Sequence, residues 1–397
     1  MSKHVGDRTG NASAAVIVSK SKVFAAVAII VSVVVSLALC EVMARLFAPL
    51  WLKQQMAYLN PDPSAGGFGT DQGWKVEKRE GKFLSFTPYS RFDVSHVEFR
   101  NVANIDEFGG RRVPSRVASN SELLPMLGDS FTFGIGVEDE ETFVSKLAAQ
   151  LPTFRVLNLG LPGSALDQQI QIIQFRHAEL NNPRRYIIFF FIGNDFADLV
   201  AEAKDVARSR SVLWVLNDFV RDNSVIRQSF SIQLFRRVFL QLFRAVMLAY
   251  GIEPEGNPLF NIMDQRRATY QAEARKTVEV QLIKLKTLQK KLGFTTMIVA
   301  IPDAHQLDDS RRQFVADGYG IPFDFLEPFR PNQLLKSVVE NEGFEFFDTT
   351  ECLVKTKLGG RLYYQQDTHF RAIGHDAAAR CMIAPIEAFL NSSPALP

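Results

Sequence analysis

An α/β fold built on a mostly parallel sheet is what this sequence predicts, and three observations predict it. From Glu122 onward, apolar runs of strand length alternate with longer helical patterns, the sign of βαβ units. Runs such as Tyr186 to Ile192 (YIIFFFI) are apolar at nearly every position, which suits strands covered on both faces. The first run, Leu123 to Leu127, stops at Gly128-Asp129-Ser130 and enters a Gly-punctuated segment before a helical pattern. A serine is thereby placed at the carboxyl edge of the sheet, where ligands bind. That is a nucleophile's position, although capping of the next helix by Asp129 or Ser130 is the plainer alternative.

With 397 residues, 47% hydrophobic and 22% charged, the chain can bury a full core and is not disordered by composition. Its net charge of +2, from 45 basic and 43 acidic residues, is no basic surplus of the kind nucleic-acid binding shows. No nucleic-acid partner is expected.

Residues 1–22 are mostly polar or small and read as a cytoplasmic tail. Val23 to Cys40 then runs without a charge, reaching the roughly 18 residues at which a transmembrane helix is the preferred reading. Residues 23–47 are therefore expected to form one N-terminal transmembrane anchor. Lys3, Arg8, Lys20 and Lys22 in front of the run favour a cytoplasmic amino terminus, with the rest of the chain outside the inner membrane. A cleaved signal peptide competes through Ser36-Leu37-Ala38, but the long polar tail and the long apolar run oppose it. Leu39 before Cys40 does not fit a lipidation site.

Residues 48–118 form a juxtamembrane segment and a small β-rich apron. Phe92 to Phe99 (FDVSHVEF) alternates, but its period of two slips after His96, which predicts a strand with a bulge. Asn104 to Arg112 reads as a turn with a basic exit.

Residues 119–397 carry the main domain. Strands are expected at Leu123 to Leu127, Arg155 to Leu159, Tyr186 to Ile192, Thr295 to Ile301 and Glu345 to Phe347. Helices are expected at Glu141 to Leu151, Leu166 to Leu180, Ala268 to Leu292, Asn332 to Glu340 and Ala377 to Leu390. Pro125 lacks the N–H a central strand needs, so the first strand is expected to begin only after it. Between the third and fourth strands lies an insertion at about 200–267, with Arg221, Arg227, Arg236, Arg237 and Arg244 set in apolar surroundings. It reads as a helical insertion with a solvated basic face, with a cap over the site or membrane contact as alternatives.

Three strand exits meet on one edge of the sheet, at Gly128-Asp129-Ser130, Asn158-Leu159-Gly160 and Gly193-Asn194-Asp195. Acyl transfer from an ester needs a nucleophile and donors aimed at the developing oxyanion, and the Ser130 and Gly160 amides with the Asn194 side chain can supply them. Turn or capping roles for Gly160 and Asn194 stay open. Near the carboxyl terminus Asp367-Thr368-His369 offers a base and a carboxylate to orient it.

These blocks, LGDSFTFGIGV, VLNLGLPGSALDQQ, FIGNDFADL and YYQQDTHFRAIGHDAAA, resemble those of SGNH/GDSL-type hydrolases, in particular the membrane-anchored branch associated with bacterial cell-surface polysaccharides. The resemblance implies a three-layer, flavodoxin-like sandwich with Ser130 as nucleophile, Gly160 and Asn194 as oxyanion donors beside the Ser130 amide, His369 as base and Asp367 as its partner. Only Thr368 separates the last Asp and His, where many members have two residues, a spacing that resembles the alginate O-acetylation branch. The expected activity is a serine esterase or acyltransferase acting on O-acyl groups of an extracytoplasmic glycan, with polysaccharide-assembly proteins as further partners. A non-catalytic, membrane-tethered glycan-binding or scaffolding subunit is the alternative.

The remaining histidines read as surface or packing residues: His4, His96 and His177, with His305 after the fourth strand either lining the site or, more simply, a loop polar residue, and His375 helping to start the last helix. Arg371 stands for a substrate contact or for nothing. No metal spacing is present, and no cofactor or metal is expected. Cys352 and Cys381 form either a disulfide, which an outside compartment permits, or two separate buried thiols.

Overall fold

The computed structural model describes residues 31–33, 35–47, 76–79, 82–96, 98–114, 117, 121–205, 229–232, 234–235, 258–319, 321–365 and 367–392. The chain divides into two compact units, Met1–Asn60 with Arg210–Val246, and Pro61–Ser209 with Met247–Pro397. Much of the insertion thus shares a unit with the amino-terminal segment rather than with the sheet.

In the first unit residues 31–33 and 35–47 are helical. Glu41 accepts hydrogen bonds from the Phe230 and Ser231 amides and from the Ser229 and Ser231 hydroxyls, capping the helical turn that begins at Phe230. Arg45 pairs with Glu41 at 2.8 Å and lies over the Phe230 ring. Among the described residues no helix is long and apolar enough to cross a membrane. Residues 23–30 of the expected span, the tail before it and the basic stretches 206–228 and 236–257 lie outside the described residues.

The second unit carries two hairpins, β1 (Val76–Arg79) with β2 (Lys82–Phe86) and β3 (Arg91–His96) with β4 (Phe99–Asn104). The slip in period after His96 is therefore not a bulge: His96 pairs with Phe99, and the chain reverses between them, which resets the phase of the alternation. After β5 (Glu122–Gly128) come α1 (Ser130–Phe133), α2 (Phe143–Gln150), β6 (Phe154–Gly160), α3 (Leu166–Arg176), β7 (Arg185–Phe191) and α4 (Asp195–Asp205). Past the insertion follow α5 (Pro258–Met263), α6 (Ala268–Leu292), β8 (Thr295–Ile301), α7 (Ala304–Leu307), α8 (Asp309–Tyr319), α9 (Arg330–Asn341), β9 (Glu345–Asp348), α10 (Thr350–Lys355) and α11 (Ala372–Asn391).

Strands β5 to β9 form one parallel sheet in the order β6-β5-β7-β8-β9. The period of two is legible inside the apolar runs: Tyr186, Ile188 and Phe190 pack with α3, α4, α6 and α9, while Ile187, Phe189 and Phe191 pack with α2 and α11. Two cores on opposite faces make the three-layer α/β sandwich, and the apron adds Phe86, Phe92 and Phe99 to the first of them. Each such buried side chain contributes about 1.5–3 kcal/mol.

Pro125 does not delay β5, which starts at Glu122 and pairs with β6 along its whole length, Pro125 opposite Leu157. The missing donor shows on the other side, where pairing with β7 is confined to Met126 and Leu127. Last, α11 starts at Ala372, five residues before the expected Ala377. His375 does not start it; buried within the helix, its Nδ1 accepts the Phe143 amide at the head of α2.

Candidate active site

Because β5 to β8 are parallel, their carboxyl ends deliver Ser130, Gly160, Asn194 and Asp303 to one edge. Asp129 is the N-cap of α1: its carboxylate accepts the Phe131 amide at 2.9 Å, and this fixes the turn that presents Ser130. Close packing keeps the turn free of side chains. A Cβ on Gly128 would lie 2.1 Å from Thr132 Oγ1, and one on Gly160 2.3 Å from the Phe133 nitrogen, so β6 runs directly against α1.

The structure brings Ser130, His369 and Asp367 into one hydrogen-bonded chain. Ser130 Oγ lies 2.7 Å from His369 Nε2, and His369 Nδ1 lies 2.6 Å from Asp367 Oδ1, which also accepts the His369 amide at 2.8 Å. With Nδ1 held by the carboxylate, Nε2 is left to accept from the hydroxyl, the arrangement in which a serine oxygen can lose its proton as it attacks a carbonyl. Burial would push the Asp367 carboxyl up, but the His369 ring, its amide and the charge of His96 together hold it below the usual carboxylate range.

The oxyanion candidates are placed less simply. The Gly160 amide donates to Asn158 Oδ1 at 3.1 Å, and the Asn194 side-chain amide donates one hydrogen to Asp198 Oδ2 at 2.8 Å. The Ser130 amide is among the first N–H groups of α1, which have no partner within the helix. Beneath the turn lie buried carboxyls. Burial, with Asp198 nearby, pushes Asp129 up to about 6, and burial with the neighbouring Asp129 raises Asp195 well above the carboxylate range.

Two positioning residues had no local signal. Glu98, in the turn of the β3–β4 hairpin, accepts the Gln365 and Asp367 amides, each at 2.8 Å, and so grips the loop that carries the Asp–His pair. Arg111, expected in a basic exit, is fully buried: its guanidinium bonds to Asp139 and to the carbonyls of Phe133, Gly134 and Val137, clamping the segment that follows the turn presenting Ser130. Nothing in the sequence separates it from Arg112 beside it, whose side chain is 51% exposed.

Of the other histidines, His177 is a packing residue bonded to the Tyr186 hydroxyl, as expected. His305 is not a plain loop residue but stands on α7, bonded to Asp303. Arg371 is the exposed N-cap position of α11. Cys352 on α10 and Cys381 on α11 are joined in a disulfide with a Cα–Cα distance of 5.8 Å. Among the described residues no three His, Cys, Asp or Glu side chains are grouped to hold a metal ion.

The model of the GDSL-like lipase/acylhydrolase family matches residues 124–298, a span that includes Ser130, Gly160 and Asn194 and ends before Asp367 and His369. The match covers less than half of the chain and supports an ester hydrolase. No curated protein matches the chain. Among solved structures this chain is similar to LAE5, an alpha/beta hydrolase enzyme from the metagenome of Lake Arreo, Spain, at 14% identity over 70% of this chain and 98% of that one, with a TM-score of 0.37. It is also similar to Axe2, an acetylxylan esterase from Geobacillus stearothermophilus (14% identity, 68% and 96% coverage, TM-score 0.35), and to a lipolytic G-D-S-L family protein from Veillonella parvula (14%, 68% and 99%, 0.36).

Proposed function

We propose that this ester hydrolase uses Ser130 as nucleophile, His369 as base and Asp367 as its orienting partner to remove or transfer O-acyl groups, acetyl foremost, on an extracytoplasmic polysaccharide or its precursor. The observation that carries the catalytic part is the chain of bonds from Ser130 Oγ through the His369 ring to Asp367. Ser130 Oγ attacks the ester carbonyl carbon while its proton passes to His369 Nε2. The oxyanion takes hydrogen bonds from the Ser130 amide and from the second Nδ2 hydrogen of Asn194, the first being held by Asp198. The Gly160 amide joins them by sharing its hydrogen with Asn158. His369 then returns the proton to the departing alcohol, leaving an acyl group on Ser130 for water or a sugar hydroxyl to take.

The glycan and its location rest on other features. The uncharged run from Val23 to Cys40 with basic residues before it reads as an inner-membrane anchor, and the Cys352–Cys381 disulfide suits an oxidising compartment. The motif blocks resemble the polysaccharide branch, whose substrates are made or exported beside the membrane. An anchored enzyme meets such a substrate at high effective concentration, whereas a free metabolite gains nothing from the arrangement. Labelling with a fluorophosphonate serine probe tests the chemistry: wild type is labelled and Ser130→Ala is not. A glycan-binding scaffold would show no labelling in either.

A further inference from the structure

The chain builds the Asp-x-His unit twice. At Asp367-Thr368-His369 the carboxylate Oδ1 accepts the histidine amide at 2.8 Å and meets ring Nδ1 at 2.6 Å; at Asp303-Ala304-His305 the corresponding distances are 2.8 and 2.5 Å. The two units are equally sheltered, with side-chain exposures of 14% and 6% for His305 and Asp303 against 15% and 9% for His369 and Asp367. Capping explains half of the second unit, since Asp303 caps α7 in a capping box with Gln306. Any residue at position 305 satisfies that box through its amide. The box does not call for an imidazole with Nδ1 locked on the carboxylate, and that lock leaves Nε2 as a hydrogen-bond acceptor. In the first unit Nε2 is met by Ser130; for His305 Nε2 there is no partner among the described residues.

The second unit stands at the active-site edge. Asp303 follows the end of β8, and a Cβ on Gly193, the residue before Asn194, would lie 2.8 Å from Asp303 Oδ2. The Tyr363 hydroxyl donates to the Pro302 carbonyl at 2.7 Å, and Arg311 donates to the Tyr364 carbonyl at 3.1 Å, so the segment carrying His305 is tied to the segment carrying His369 at two points. The His305 ring is steadied edge-on against buried Phe260.

We infer that Asp303 and His305 form a hydroxyl-binding subsite, in which His305 Nε2 accepts a hydrogen bond from a sugar hydroxyl of the acyl acceptor. This rests on the Ser130 acyl-enzyme proposed above. In a mixture of p-nitrophenyl acetate as donor and methyl glucoside or glycerol as acceptor, the acyl-enzyme divides between water and acceptor, and that division is independent of how fast it forms. Transfer by the full-length wild-type protein is expected to saturate with acceptor, and His305→Ala is expected to raise the half-saturating acceptor concentration about fivefold, the worth of one hydrogen bond of about 1 kcal/mol. His305→Gln, which keeps a donor for Asp303, guards against loss of folding and is expected to shift in the same direction.

A second reading needs no turnover: methyl glucoside added to the Ser130→Ala protein is expected to move the His305 ring resonances. Wild-type transfer that does not saturate, a half-saturating concentration within twofold of wild type in both His305 variants, or unmoved ring resonances would each overturn the subsite while leaving Ser130-dependent release of p-nitrophenol intact. Loss of that release from the wild-type protein itself would instead overturn the esterase chemistry, and the subsite with it.

Discussion

At the scale of single residues, the serine, the histidine and the aspartate differ in what each is expected to cost. Ser130→Ala is expected to lower ester turnover by about a thousandfold or more with the fold kept, because it removes the oxygen held at 2.7 Å from His369 Nε2. Steady-state kinetics with thermal denaturation as a control checks it, and comparable activity would remove Ser130 as nucleophile. Asp367, held below the carboxylate range, is expected to keep its charge beside the His369 ring.

Asp129 behaves in the opposite sense. A carboxyl whose folded pKa is raised binds its proton more tightly when folded, so stability falls as pH rises from the unfolded value of about 3.9 towards about 6, and the penalty is complete above that. Asp129→Asn keeps an acceptor for the Phe131 amide and removes the buried charge. It is expected to stabilise the protein at pH 7.5 by on the order of 1–3 kcal/mol, a gain that shrinks on acidification towards pH 4. Thermal melts across that range decide it, and a gain independent of pH would contradict the account.

At the scale of elements, the apron does more than cover the sheet, since it reaches the loop that carries Asp367 and His369. The β3–β4 hairpin ends in Glu98, whose two oxygens hold the amides on either side of residue 366. Glu98→Ala is expected to lower kcat about tenfold with little change in KM, since it frees the loop that aims His369 and touches no substrate. Glu98→Gln, with one accepting oxygen left, is expected to fall between. Equal losses in kcat and in folding stability for both variants would point to a general structural role.

The disulfide belongs to this scale too, joining α10 to α11 and closing a loop with a sequence separation of 29. Cys352→Ser with Cys381→Ser is expected to cost about 3–4 kcal/mol of stability by denaturant unfolding. Thiol counting under denaturing, non-reducing conditions is expected to find one free thiol, that of Cys40.

At the scale of the whole molecule, the question is where the chain stands and what it meets there. A reporter fused after Leu52 is expected to be active outside the cytoplasm, and a cell carrying Ser130→Ala is expected to alter acylation of its surface glycans. Excess acyl groups would mark a hydrolase and too few a transferase. Unchanged acylation of every surface glycan would defeat the glycan substrate, and a reporter active only in the cytoplasm would defeat the topology.

Much of this was legible in the sequence because it depends on near neighbours. Runs of strand length alternating with helical patterns marked all five sheet strands, and Thr295–Ile301 and Ala268–Leu292 fall on their expected bounds. The Gly128-Asp129-Ser130 turn and the Asp367-Thr368-His369 pair each carry their geometry within two or three residues. Other features were decided only by the tertiary structure. The bond from Ser130 to His369 spans 239 positions, and the grip of Glu98 on Asp367 spans 269. Burial of Arg111 but not Arg112, and the pairing of Cys352 with Cys381, are likewise set by which distant segments meet. The physical reason is range. Periodicity, capping and turn chemistry act over a few residues and leave a local trace, whereas a contact between remote segments is paid for by the folding of everything between them and leaves none.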